Sequence, residues 1–135
     1  MGTIGRKNVH GKGGVRFKAG YTSDKEKNML RNVVSQLIIS GKIEVTLSVA
    51  KRAQQKAERM VTYAKKGDLA ARRLAASFVR EQGFVDPKTN KTALQKLFDV
   101  YGPKYKDRNG GYTRILKTYN RRGDNASMAI LAFVD

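Results

Sequence analysis

Apolar residues in the first half of the chain recur at the three- and four-residue spacing of amphipathic helices. The first predicted helix begins with the capping-box sequence Ser23–Glu26 and ends at Ser40-Gly41. The second begins after Thr46 or Ser48, either of which has a capping side chain. The positions predicted to face the core are Met29, Leu30, Val33, Val34, Leu37, Ile38, Ala50, Ala53, Ala57, Met60, Val61 and Ala64.

Two further helices follow from the same spacing. Gly67-Asp68 ends the second helix and caps the third, and Gly83–Asn90 has the turn residues of a surface loop. The fourth helix begins at about Thr92 and ends at Gly102-Pro103. The core positions predicted here are Leu69, Ala71, Leu74, Ala75, Phe78, Val79, Ala93, Leu94, Leu97, Phe98 and Tyr101.

Three segments have the patterns of strands. Lys42–Leu47 alternates, with its apolar residues inward, and a second alternating segment follows the Gly110-Gly111 turn. Met128–Val134 is apolar throughout, which is typical of a central strand or of one covered on both faces. In the middle segment, Tyr112, Arg114, Leu116 and Thr118 are predicted to share one face, and Thr113, Ile115, Lys117 and Tyr119 the other.

The predicted order of elements is therefore α-β-α-α-α-β-β. This order indicates an α+β, two-layer domain, with about four helices covering one face of a small three-stranded sheet. The last two strands should form an antiparallel hairpin, whereas the position of the first strand is left open. We expect residues 22–135 to form a single globular domain.

Residues 1–21 differ from the rest because they contain many glycines, five Lys/Arg residues and no acid. Such a segment cannot bury enough apolar surface to offset the entropy lost on ordering. We expect a disordered basic arm that becomes ordered on nucleic acid, although a merely solubilising tail is the alternative. The candidate RNA-binding residues of this arm are Arg6, Lys7, Lys12, Arg16 and Lys18.

The charge of the chain indicates an anionic partner. The 135 residues carry a formal net charge of +17, which would destabilise an isolated compact state through self-repulsion. The absence of cysteine excludes disulfides and thiolate metal sites, and a single histidine excludes multi-histidine sites. The longest apolar run has seven residues and no signal peptide is visible, so we expect a soluble, cytoplasmic protein without a membrane partner.

No catalytic constellation is recognisable, and an enzyme is not expected. The Gly5…Gly11-Lys12-Gly13 segment lacks the spacing and the Ser/Thr of a phosphate-binding P-loop. His10, in the glycine-rich arm, is a poor base for a nucleophile. We therefore expect no cofactor, no metal and no small-molecule substrate.

Cations concentrate between Lys104 and Arg122, where seven Lys/Arg residues accompany one Asp. A basic stripe on the second helix, interrupted by Glu58, also exceeds what ion pairing along the helix can balance. Tyr112 and Tyr119 could stack on bases or pack across the sheet. The candidate RNA-binding residues outside the arm are Arg31, Asn32, Lys51, Arg52, Arg72, Arg73, Arg108, Arg114, Lys117, Arg121 and Arg122, of which Arg31 and Asn32 are expected to be exposed.

Several of these segments resemble the bacterial large-subunit ribosomal protein L17 family over about residues 20–135. The most specific are Asn109–Lys117 (Asn-Gly-Gly-Tyr-Thr-Arg-Ile-Leu-Lys) and Arg121–Ala126 (Arg-Arg-Gly-Asp-Asn-Ala). Met29–Asn32, Ala71–Arg73, Leu97-Phe98 and Met128-Ala129 resemble the family as well. Asp24–Glu26 departs from the Ser-His-Arg type of sequence at the start of the first helix, and the arm does not align well.

The resemblance implies a structural protein of the large ribosomal subunit. Its partners would be 23S rRNA and neighbouring ribosomal proteins near the end of the polypeptide exit tunnel, and homo-oligomerisation is not expected. A DNA-compacting or regulatory protein is the alternative, and it would need a dimer surface and a recognition helix. The scatter of basic residues over several elements favours RNA, because folded RNA is contacted mainly by phosphate and 2′-hydroxyl groups.

Overall fold

The structure is a computed structural model, and it describes residues 23–135. Residues 1–22, and with them the predicted arm, lie outside the described part. The elements are α1 (Ser23–Ser40), β1 (Lys42–Thr46), α2 (Leu47–Lys66), α3 (Leu69–Ala76), α4 (Ala93–Lys96), a π-helical turn (Leu97–Tyr101), α5 (Gly102–Lys104), β2 (Thr113–Asn120) and β3 (Ser127–Phe133). Because α4, the π-helical turn and α5 are continuous, this order confirms the predicted α+β architecture.

The three strands form one antiparallel sheet in the order β1-β3-β2. β2 and β3 form the predicted hairpin, and β1 pairs with the other edge of β3, as in Ile43 opposite Leu131. β3 is thus the central strand, which is one of the two possibilities that its apolarity indicated. The position of β1, which the sequence left open, follows from this pairing.

Helix α2 packs against all three strands, and α1 and the 93–104 helical stretch pack against α2, which agrees with the predicted layer of helices on one face of the sheet. The apolar face of α2 is dominated by alanines, all of them buried, so its axis can approach its neighbours closely. The large fully buried side chains are Leu37, Ile38, Leu97, Leu131, Val34 and Val61. On the opposite face of the sheet, Leu116 is 50% exposed.

The end of α1 is held by side chains from the 93–104 helical stretch. Carbonyls in the last turn of a helix lack intrahelical partners. Here the Tyr101 hydroxyl donates to the Ile38 carbonyl at 3.0 Å, and Lys96 Nζ donates to the Ile39 carbonyl at 2.6 Å. Burial raises the pKa of Tyr101 to about 12. These bonds fix the packing of α1 against residues far away in the sequence.

An aromatic cluster joins the chain end to the helices. The Tyr101 ring stacks on Phe133 with 4.2 Å between centroids, and the Tyr105 ring lies 5.4 Å from that of Tyr112. The Tyr105 hydroxyl also donates to the Val134 carbonyl. Tyr112 is 6% exposed, so it packs in the domain and cannot stack on a base.

Gly102-Pro103 does not end the fourth helix, contrary to the prediction. The Gly102 amide donates to the Leu97 carbonyl, which closes the π-helical turn, and the chain stays helical through Lys104. Because the turn changes the hydrogen-bond register, Pro103 enters at the start of α5, where its missing N–H is tolerated. Gly102 is needed for packing, since a Cβ there would lie 2.9 Å from the Ala64 carbonyl oxygen.

The prediction for the third helix was partly wrong. Asp68 caps it as expected, accepting from the Ala71 amide at 2.7 Å, but the helix ends at Ala76. Leu69 and Leu74 are 64% and 53% exposed instead of inward. An eight-residue helix that packs through small residues has a contact face too narrow to include either leucine. Phe78 and Val79 reach the core from the irregular segment that follows; Val79 is buried there and Phe78 is half-buried.

Two boundaries also differ around the strands. Leu47 begins α2 instead of ending β1, and Thr46 is the N-cap residue, although its side chain makes no capping hydrogen bond. A bulge between Lys117 and Asn120 interrupts the alternation of β2. Because of this bulge, the Tyr119 hydroxyl donates to the Glu44 carboxylate at 2.7 Å. Tyr119 therefore lies on the same face of the sheet as Leu116, whereas the sequence predicted it on the other face.

The 83–92 segment is irregular, as predicted, but it is anchored. Asp86 is 7% exposed, accepts from the Lys88 amide at 2.9 Å and pairs with Lys96 at 3.0 Å. The Lys88 amide, and then Lys96, hold the pKa of Asp86 below its usual value. Since Lys96 also donates to the end of α1, one ammonium group connects the loop, α1 and α4.

Candidate nucleic-acid interface

The Gly110-Gly111 turn positions Arg108, one of the cations of the predicted basic segment. Both glycines have positive φ, 125° and 62°, as the sequence predicted. Arg108 folds into this turn, and its Nε donates to the carbonyls of Gly110 at 3.1 Å and Gly111 at 3.2 Å. Lys65 of α2 donates to the Arg108 carbonyl at 2.5 Å, so the turn is attached to the helical layer.

Strand β2 presents two exposed cations on opposite faces of the sheet. Lys117 lies opposite Ala129 on the helix-facing side, whereas Arg114 lies opposite Ala132 on the other side. Neither side chain forms an ion pair within residues 23–135. The structure therefore does not bring Arg114 and Lys117 to one face, but it leaves both accessible to an anionic partner.

The turn between β2 and β3 is built by an arginine–carboxylate pair. Arg121 donates through Nε and Nη2 to the two oxygens of Asp124 at 3.1 and 2.6 Å, and Asp124 also accepts from the Ala126 amide. The Arg121 guanidinium, followed by that amide, lowers the pKa of Asp124 to about 2. The charge of Arg121 is thus largely compensated, whereas Arg122 is exposed and has no partner among residues 23–135.

A second basic group lies on α3. Arg72 and Arg73 are both exposed, and the Arg72 guanidinium lies 5.2 Å from the centre of the Phe98 ring. Stacking on an aromatic face restricts the side chain while leaving its N–H groups available. Leu69 and Leu74 are exposed on the same short helix, so this surface combines cations with apolar side chains.

The beginning of α2 holds two cations, of which only Arg52 forms an ion pair within residues 23–135. Lys51 is exposed, but Arg52 donates through Nε and Nη2 to the Glu26 carboxylate at 3.0 and 2.6 Å. Glu26 therefore joins α1 to α2, a different contact from the one the capping-box interpretation assigned to it. The side chain of Ser23 lies outside the described part of the structure, so its capping role stays a prediction.

Arg31 is half-buried instead of exposed, because its Nε donates to the Phe78 carbonyl at 2.8 Å. Asn32 is exposed, as predicted. Beside them lies Arg80, which is not among the residues predicted from the sequence. Its Nη2 donates to Asn28 at 3.0 Å and its amide donates to the Ser35 hydroxyl at 2.9 Å. No pattern in the sequence singles out Arg80, since it follows the third helix in an irregular segment.

Comparison with known proteins connects these groups to a family. The family model described as Ribosomal protein L17 matches residues 29–134, from the Met29–Asn32 motif to the residue after β3. The chain belongs to the ribosomal protein L17 family. It is 50% identical over 125 residues to the large ribosomal subunit protein bL17 of Limosilactobacillus reuteri, covering 87% of this chain and 97% of the relative. It is 53% identical over 113 residues to the Acholeplasma laidlawii protein of the same name, covering 84% and 92%.

Membership of this ribosomal protein family confirms the resemblance seen in the sequence and agrees with a structural rather than an enzymatic role. The match includes all the basic groups just described, whereas the arm candidates Arg6, Lys7, Lys12, Arg16 and Lys18 lie outside both the matched and the described residues. Within residues 23–135, no cluster of three or more metal-binding side chains is present. None of the helices described there is long and apolar enough to cross a membrane.

The basic groups of this L17 family member lie on different elements. They occupy α1 with its adjoining segment, α2, α3, both faces of β2 and the hairpin turn. Such a distribution differs from a single recognition helix, in which base-reading side chains are concentrated on one helix face. It suits a partner that surrounds the domain and offers phosphates on several sides.

Proposed function

We propose that this chain is a structural protein of the large ribosomal subunit that binds 23S rRNA through phosphate and 2′-hydroxyl contacts. The names of its relatives support a place in the large ribosomal subunit, and the distribution of positive charge supports RNA as the partner. It would act in the cytoplasm, as part of the ribosome. The residues proposed to contact RNA are those predicted from the sequence, together with Arg80.

The observation that carries this proposal is uncompensated positive charge on the surface of a folded domain. Residues 23–135 form five ion pairs, and these leave Lys51, Arg73, Arg114, Lys117 and Arg122 exposed without a carboxylate partner. Each exposed cation that meets a phosphate releases a counterion, which makes binding favourable and dependent on salt. Arg52 and Arg121 contribute less charge, because carboxylates already hold them.

Position and organisation within the subunit are further parts of the proposal. The resemblance to the family implies a place near the end of the polypeptide exit tunnel, beside other ribosomal proteins. We propose that residues 1–21 form a basic arm that follows RNA and that residues 22–135 form the single RNA-binding domain. The five cations of the arm and its lack of acids support this division.

Sedimentation tests the proposal directly. Lysate would be separated on sucrose gradients at moderate and at high salt, and the protein followed across the fractions by immunoblotting. We expect stoichiometric migration with large subunits that persists at high salt. Migration with the nucleoid would favour the DNA-binding alternative, and migration at the top of both gradients would contradict a structural ribosomal role.

A further inference from the structure

The segment after α3 runs back along α1 and forms a groove with it. One stripe of α1 faces this segment, and the Ser35 hydroxyl links the two by donating to the Arg31 carbonyl at 2.7 Å and accepting from the Arg80 amide at 2.9 Å. We call the depression beside this link the α1 groove. It encloses about 450 Å³, and its wall includes Arg31, Asn32, Arg80, Glu81, Gln82 and Phe84.

The two guanidinium groups of the α1 groove are held by neutral acceptors. Arg31 donates to a backbone carbonyl at 2.8 Å, and Arg80 donates to the side-chain oxygen of Asn28 at 3.0 Å. Arg52 and Arg121 are instead held by carboxylates. Both groove arginines are therefore fixed in position while keeping their full positive charge.

This arrangement favours an anion. Arg31 and Arg80 are half-buried, so their charges are less screened than those of fully exposed side chains. Glu81 lines the same groove but is exposed, and within residues 23–135 it forms no ion pair with either arginine. The other guanidinium N–H groups of Arg31 and Arg80 have no acceptor there, and Arg80 Nε is buried without one.

The rest of the wall has the chemistry that recognises a base. The amides of Asn32 and Gln82 are exposed, have no hydrogen-bond partner within residues 23–135, and each offers both donors and an acceptor. Phe84 contributes a half-buried aromatic side chain. An adjoining depression of about 650 Å³ is lined by Arg31, Lys27 and Lys56 and by one carboxylate, that of Asp24. Its cations outnumber its acid and are available for the phosphate of a following nucleotide.

We propose that the α1 groove binds an unpaired nucleotide of RNA. In this arrangement Arg31 and Arg80 hold its phosphate, and Asn32 and Gln82 pair with the edge of its base. A base within a duplex is excluded, because its pairing edge is already occupied and proteins read unpaired RNA through such edges. The inference rests on the proposed RNA-binding function and adds to it the structural class of the nucleotide.

The test compares two variants of the full-length chain that lose the same charge. The groove variant carries Arg31→Gln and Arg80→Gln, and the control carries Arg72→Gln and Arg73→Gln on α3. Fluorescence anisotropy would measure the affinity of each for a mixed-sequence single-stranded RNA and for a hairpin duplex of the same composition. Thermal melting would check folding. If the double groove variant fails to fold, Arg31→Gln and Arg80→Gln are tested singly against Arg72→Gln and Arg73→Gln, which lose the same charge.

We expect the groove variant to lose about tenfold or more in affinity for the single strand, since hydrogen bonds to charged groups are the strong ones. Its affinity for the duplex should change less than twofold. Its salt slope for single-stranded RNA should fall by ~0.7 for each phosphate that the variant no longer neutralises. The control should weaken both RNAs by similar factors.

Other results would overturn the inference. A groove variant that binds single-stranded RNA like the wild type, or that loses both RNAs equally, would contradict an unpaired-nucleotide site while leaving the proposed function intact. A groove variant that binds both RNAs like the wild type but no longer binds a poly-glutamate peptide would assign the groove to an acidic protein partner instead. A wild-type chain that binds neither RNA would contradict the proposed function itself.

Discussion

Replacing Gly102 by Ala tests whether close packing of the 93–104 helical stretch against α2 determines stability. Two opposing effects can be estimated. Gly102 has helical dihedral angles, φ −56° and ψ −60°, so alanine should gain about 1 kcal/mol in helix propensity. However, the new Cβ would lie 2.9 Å from the carbonyl oxygen of Ala64 and 3.3 Å from its carbonyl carbon. Overpacking of this kind typically costs about 1–3 kcal/mol.

We expect the clash to prevail, because the contacted atoms belong to the backbone in the middle of a packed domain and cannot rotate away. Gly102→Ala should therefore lower the free energy of unfolding, by up to about 2 kcal/mol after the propensity gain is subtracted. Urea unfolding followed by circular dichroism measures this difference, and an unchanged m-value would indicate that the change lies in stability.

The variants Gln55→Ala and Gln55→Gly provide the matched control for Gly102→Ala. Gln55 is exposed in the interior of α2, so the difference between them gives the propensity term in this protein without any clash. If Gly102→Ala instead stabilises the protein by the amount that the Gln55 pair measures, the contact with Ala64 carries no strain and the argument fails.

Three further predictions follow from single contacts. Tyr101→Phe removes the hydroxyl that caps α1 and should cost about 1–2 kcal/mol in urea unfolding; no change would mean that the carbonyl finds another donor. The pKa of Asp86 is lowered in the folded protein, so its ionised carboxylate stabilises the fold above about pH 4, and this stabilisation is lost as the pH falls through the folded pKa. The free energy of unfolding of Asp86→Asn should therefore depend less steeply on pH in the acid range than that of the wild type. An equally steep acid transition would contradict this. Arg122→Gln should lower the salt slope of RNA binding by ~0.7–0.9. Arg121→Gln should lower that slope by less, because Asp124 already holds Arg121; equal changes in slope for the two variants would contradict this.

The sequence was sufficient to predict an element where its apolar residues recur regularly and capping or turn residues mark its ends. The predicted inward positions of α2 are all buried, and Asp68 caps α3, because these depend on local spacing and hydrogen bonding. The apolar composition of β3 left two possibilities open, a central strand or one covered on both faces, and the strand order shows that β3 is central. The docking of β1 on β3 could not be predicted, because it depends on contacts between distant segments.

The basic site shows the limit more clearly, because residue type reveals that a charge exists but not what compensates it. Arg52, Arg121 and Arg31 looked equivalent in the sequence, yet the first two are held by carboxylates and the third by a backbone carbonyl. That difference arises from partners 26, 3 and 47 residues away, of which only the closest lies within local sequence reach. Arg80 was missed for the same reason: its significance depends on Asn28 and Ser35 of α1, which tertiary packing brings to it. How strongly an arginine can bind phosphate therefore depends on the fold. The comparison of the groove variant with the α3 control variant measures this dependence.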